Sequence, residues 1–167
     1  MVKNFLQFIT EELSEGEKFQ SEIRDYLQKK GNLESVILSN VDTDKDVSKN
    51  VEDIIGDNPF LHKLATILNL RKSVAKIEIN IEDINSNIGE LNRDKSMINS
   101  IDDESDRESQ DKRISGEIKT SKEKIEEYKK KIAELEINIK ESEREIKVML
   151  DEKKRIIDNI KKSPFVQ

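Results

Sequence analysis

Residues 118–160 read IKTSKEKIEEYKKKIAELEINIKESEREIKVMLDEKKRIIDNI. Within them Ile118, Ile125, Ile132, Ile139, Ile146, Lys153 and Ile160 fall every seven positions. A second series, Ile114, Ser121, Tyr128, Leu135, Ser142, Met149 and Ile156, lies between them. The spacing alternates three and four without a slip. Apolar residues so placed keep to one stripe of a helix that supercoils against a partner, which is the pattern of a coiled coil and not of an ordinary globular helix.

Working back toward the N-terminus, a second stretch has the same period. Asp57-Asn58-Pro59 supplies a capping side chain and then a proline at the first helical position, where its missing N–H costs nothing. From there one series runs Phe60, Ile67, Val74, Ile81, Ile88, Lys95. The other runs Lys63, Leu70, Ile77, Ile84, Leu91, Ile98. Leu61, Leu64 and Leu68 widen the apolar face early in this arm, so a third surface is expected to pack there. Between the arms, residues 101–112 (IDDESDRESQDK) hold one apolar residue and a dense acidic run, and read as an exposed connector.

The reading is therefore all-α: a long antiparallel coiled-coil helical hairpin preceded by a short N-terminal helical segment. The expected divisions are 1–56, short helices; 57–100, first arm; 101–112, connector; 113–162, second arm; 163–167, tail. The predicted seam comprises Ile67, Leu70, Val74, Ile77, Ile81, Ile84, Ile88, Leu91 and Ile98 on the first arm. Ile118, Ile125, Tyr128, Ile132, Leu135, Ile139, Ile146, Met149 and Ile156 form it on the second. Setting residues whose numbers sum to 216 opposite one another places Ile98 opposite Ile118, Leu91 opposite Ile125, Leu70 opposite Ile146 and Phe60 opposite Ile156. Lys95 then falls opposite Ser121, while Lys63 opposite Lys153 is a poor layer unless both snorkel outward.

Residues 1–56 read as three or four short helices. Ser14-Glu15-Gly16-Glu17 has capping-box spacing, Gly31 a C-terminal stop, and Gly56 closes a helix around Val51, Ile54 and Ile55. Phe5, Phe8, Phe19 and Tyr26 are candidate partner-binding residues on these helices.

Composition bounds the chemistry. Of 167 residues, 40% are charged and 4% aromatic, and the mean hydropathy is −0.77. Such a chain suits a narrow seam better than a broad core. With no cysteine there is no disulfide or thiolate site. No run of about 18 apolar residues occurs, so no membrane span is expected, and an early acidic N-terminus argues against a signal peptide. A cytoplasmic protein is expected. The 101–112 segment carries a net charge of −4 and residues 113–167 a net +3, of mixed sign throughout, as on the solvated faces of a coiled coil.

Chemical motifs are weak. Residues 42–53 have polar groups at the positions of a calcium loop, but Val47 stands where the glycine belongs and Asp53 where the glutamate does, so a polar linker is the better reading. His62 is the sole histidine and has no triad or zinc set to join. Adjacent carboxylates such as Glu126/Glu127 lack the apolar walls that acid–base work needs. Lys129-Lys130-Lys131, Lys153-Lys154-Arg155 and Lys161-Lys162 are basic clusters, yet acidic residues interleave with them and nucleic acid is the lesser partner. No catalytic residue, metal ligand or cofactor is expected.

The opening, Met1-Val2-Lys3-Asn4-Phe5-Leu6-Gln7-Phe8-Ile9-Thr10-Glu11-Glu12-Leu13, resembles the start of proteins of T-even-like tailed phages. Ile9-Thr10-Glu11 is similar to the Leu/Ile-x-Glu tripeptide cut by the prohead proteases of that group. The resemblance covers about 13 residues and implies a virus-encoded structural or assembly protein, located in host cytoplasm or virion. The expected function is a non-catalytic coiled-coil scaffold or adaptor working through a protein partner or self-association. The alternatives are a nucleic-acid-associated packaging or regulatory oligomer, and an inhibitor docking on a host protein through the N-terminal helices.

Overall fold

The computed structural model describes the backbone of residues 2–39, 41 and 46–163, and the side chains of these apart from 2–9 and 12. It is an all-α helical hairpin with added N-terminal helices. The order is α1 (Val2–Leu38), α2 (Ser48–Ile55), α3 (Pro59–Met97), a single 3-10 turn (Ile98–Ser100) and α4 (Glu104–Lys162). No strand occurs among the described residues. The chain forms two compact units, residues 1–72 with 138–167, and residues 73–137.

In the first unit α1 runs parallel to α3 and antiparallel to α4. Side-chain contacts fix both directions. Glu22 and Asp25 meet Asn58, Tyr26 meets Phe60, and Leu33 and Ile37 meet Leu61, Ala65 and Leu68. Against α4 the order reverses: Gly16 faces Ile160, while Phe19 and Glu22 face Lys153. Leu33, Ile37, Phe60, Leu61, Ile67 and Leu68 are almost wholly buried, each worth roughly 1.5–3 kcal/mol relative to exposure. The third surface required by Leu61 and Leu68 is thus α1, joined by Ile55 of α2.

Parallel neighbours cannot be joined by a tight turn, so the chain must travel back along α1 before α3 begins. The stretch around α2 makes that return. Asp46 Oδ1 accepts the Ser48 N–H at 2.9 Å just before α2. Gly56, at φ 48°, ends it, a conformation that favours glycine because a Cβ would crowd the carbonyl. The N-cap Asn58 then starts α3, its Oδ1 accepting the N–H of Phe60 at 3.0 Å and of Leu61 at 3.3 Å, as the Asp57-Asn58-Pro59 signal predicts.

Three local expectations differ. First, α1 is one helix of 37 residues, and neither Gly16 nor Gly31 interrupts it. At Gly16 a Cβ would lie 3.0 Å from Ile160 Cδ1, so the glycine permits close approach of α1 to α4 and is no boundary. Second, α4 begins at Glu104, so residues 104–112 are helix, not connector. Asp103 Oδ1 accepts the Asp106 N–H at 3.1 Å, and Glu104 and Asp106 occupy the first turn. The acidic run is a helix start, where carboxylates are favoured by the macrodipole and the orphan N–H groups.

Third, a shorter turn shifts the pairing by about one heptad in both units. Phe60 clusters with Ile146, Met149 and Leu150, not with Ile156. In the second unit Lys95 reaches Ser115 at 2.7 Å and Asp111 at 3.4 Å, where the expected opposite was Ser121. Ile98 and Ile114 are both buried at the closed end. A slip of one whole heptad keeps most apolar residues in facing layers, so the turn selects between the registers.

Candidate interaction surface

The most specific side-chain arrangement lies where α1, α3 and α4 meet. Lys153 interrupts the isoleucine series of α4, and its ammonium lies 4.5 Å from the Phe19 ring centre and 5.0 Å from that of Phe60. It also donates to the Glu22 carboxylate. The two charged side chains are 18% and 17% exposed, so each relies on the other for solvation that water no longer gives. The ring quadrupoles add cation–π attraction. Lys153 therefore holds a core position as an internal ion pair and does not snorkel.

One turn on, Asn58 is 6% exposed and has both ends engaged. Its Oδ1 caps α3, and its Nδ2 donates to the Glu22 carbonyl at 2.8 Å and to Asp25 Oδ2 at 3.0 Å. Lys29 pairs with Asp25 at 2.8 Å. That hydrogen bond is the main reason the Asp25 carboxyl is held below its ordinary value, against a desolvation that pushes the other way, with Asn58 adding to the lowering. His62 contacts the Gly56 carbonyl through Nε2 at 3.0 Å. A carbonyl only accepts, so Nε2 carries the proton, and His62 fastens the α2–α3 turn.

Of the aromatic candidates, Phe19 lies under Lys153 and Tyr26 packs on Phe60 with ring centroids 5.6 Å apart. Burial pushes the Tyr26 phenol above its ordinary value. Both rings are thus engaged within the chain's own three-helix unit. The side chains of Phe5 and Phe8 lie outside the described part, as do residues 42–45 of the calcium-like stretch.

Along the predicted seam, Ile67, Ile77, Ile98, Ile125 and Ile146 are buried. Leu70, Val74, Ile81, Ile84, Ile88, Leu91, Ile118, Tyr128, Ile132, Leu135, Ile139 and Met149 are half-buried. Ile156 is 37% exposed, whereas its neighbour Ile157 is 7% exposed. In the last part of α4 the inward stripe is Ile146, Leu150, Lys153, Ile157 and Ile160, again at four-three spacing. The stripe has rotated because α4 there packs against two helices instead of one. Ile157 was legible as a member of that alternative series, but only α1 decides for it.

What remains outside is apolar in places. Ile79, Met97 and Ile137 of the second unit are 37%, 67% and 64% exposed. Leu27, Val148 and Ile156 are exposed in the first. The basic clusters are partly engaged: Lys129 pairs with Glu126 at 2.7 Å and Lys153 is internal. An open hollow in the second unit is lined by Asn87, Leu91, Gly116, Thr120 and Ser121, among others.

Among the described residues, no group of three His, Cys, Asp or Glu side chains is placed to hold a metal ion, and no helix is long and apolar enough to cross a membrane. No family model, curated protein or solved structure matches this chain. The arrangement offers surfaces for helix–helix contact: a seam that two helices cover only in part, and large apolar side chains beyond it.

Proposed function

We propose that this chain is a non-catalytic coiled-coil structural or assembly protein, a scaffold or adaptor that works by helix–helix contact with further copies or with another helical chain. The observation that carries the reading is the exposure of Ile79 and Ile137 on the 73–137 hairpin. Both lie away from the hairpin's own seam, at positions a solvated two-helix arm fills with charge. The tailed-phage resemblance of residues 1–13 supports an assembly role in a virus particle. The inward engagement of Phe19, Tyr26 and Lys153 weighs against inhibition through the N-terminal aromatics and against the Lys153 cluster as a phosphate contact.

Light scattering over a concentration series tests this on the full chain, beside the Ile79→Lys/Ile137→Lys variant. The expected result is an oligomer whose mass falls toward the monomer in the variant. A monomer at every concentration that also crosslinks to no helical partner in its native extract would sink the reading.

A further inference from the structure

We infer that the hairpin of the second unit carries a built-in hinge at the level of Gly89 and Gly116, about which its closed end, residues 90–115, swings as one body. The inference does not depend on the assembly role.

Four observations converge on this level. Gly89 is interior to α3 and Gly116 interior to α4, and a Cβ at either would meet nothing within 4 Å. Alanine would fit at both and hold each helix better, so no packing demand explains the glycines. They also fall at about one level of the hairpin, both on its exposed side. Gly116 lines the same hollow as Asn87, Glu90 and Leu91, the turn of α3 that contains Gly89.

The helix is weakened there in a second way. Thr120 Oγ1 donates to the Gly116 carbonyl at 3.1 Å, a back-bond to the residue four earlier that loosens the ladder and bends helices. The seam is weak at the same place. Ser121, little more than one turn past Gly116, takes a core position with a small polar side chain, whereas within the closed end Lys95 bonds across to Ser115 and Asp111.

Beyond that level the arm is locked again. Ile98 and Ile114 are 5% and 2% exposed, and Ser100 Oγ donates to the Met97 carbonyl at 2.6 Å in the turn. A locked end joined through two unpacked glycines and a polar layer bends as a unit and does not fray.

The absence of cysteine allows nitroxide labels at Met97→Cys and Lys130→Cys without competing thiols. Distances are read by pulsed electron resonance, with the labelled chain diluted into unlabelled chain to suppress contacts between copies. The expected result is a broad distribution in the otherwise native chain and one roughly twofold narrower or better in Gly89→Ala/Gly116→Ala. Amide exchange in 104–115 should slow by roughly tenfold in the same variant. An Asn80→Ala control should leave the width unchanged. A native distribution already as narrow as that of the double-alanine chain, or one equally broad in both, would overturn the hinge.

Discussion

Lys153 of α4 and Phe60 of α3 meet face to face, the ammonium 5.0 Å from the ring centre, at a heptad position where the other members are isoleucine. With Phe19 on its other contact and Glu22 as counter-ion, Lys153 ties three helices at once. Lys153→Met should cost about 1–3 kcal/mol in urea unfolding, because it leaves the Glu22 carboxylate in a mostly covered place without its partner. The double variant Lys153→Met/Glu22→Met should recover most of that loss, since removing both charges removes the desolvation as well. Equal losses in the single and double variants would show that the ion pair is not what matters there.

Asn58 performs two tasks with one amide, and substitutions separate them. Asn58→Ala should destabilise by about 2 kcal/mol, the cap of α3 supplying roughly half and the covered donors and acceptors it leaves behind the rest. Asn58→Asp keeps an acceptor for the Phe60 and Leu61 N–H groups but sets a second carboxylate against Asp25. Its deficit relative to the native chain should be largest at neutral pH and shrink on acidification. Urea midpoints at two pH values measure both effects.

The two glycines of α1 should respond in opposite directions. Gly31 has open space around it, so Gly31→Ala should stabilise by up to about 1 kcal/mol through helix propensity. Gly16 faces Ile160 at 3.0 Å from an ideal Cβ. Gly16→Leu should destabilise by about 1–3 kcal/mol by forcing α1 from α4, with thermal melts of the two variants moving apart.

Asp25 sets an acid limit on the first unit. Its carboxyl is held below the ordinary 3.8, chiefly by the Lys29 hydrogen bond. The folded state therefore favours the ionised form, and the resulting stability is present above about 3.8 and disappears as the pH falls through the lower folded value. The stability difference between the native chain and Asp25→Asn should be constant near neutrality and decline below pH 4. A difference that grows on acidification would contradict the assigned direction.

The heptad arms and the start of α3 at Asn58 could be read from local pattern, because each depends on residues within a turn or two of one another. The pairing register could not. A slip of seven residues keeps most isoleucines against apolar residues, although it would set Ile88 against Ser121 and Ile67 against Ser142, so the heptad pattern does not select the register and the turn does. The acidic run that sets the turn has the composition of a loop and the geometry of an N-terminus capped by Asp103. Gly16 misled for a similar reason: a glycine that ends a helix and one that admits a neighbouring side chain are the same letter until Ile160 is in place. The N-terminal rings Phe19 and Tyr26 were visible as an unspent apolar face, and what covers them lies at Phe60 and Lys153, up to 134 positions along the chain (Phe19 to Lys153).

The first unit is drawn from two segments, 1–72 and 138–167, with the 73–137 hairpin inserted between them. On the ribosome this imposes an order. The inserted hairpin has all of its residues in hand while α1, already outside, still lacks the stretch from Ile146 to Ile160 that faces it. At about 5–20 residues per second, several seconds pass between the emergence of Phe19 and that of Lys153. During that delay the nascent chain presents Phe19 and Ile23 without their α4 partners, so its early fate in the cell depends on how fast it is made and on what shelters that face until α4 follows.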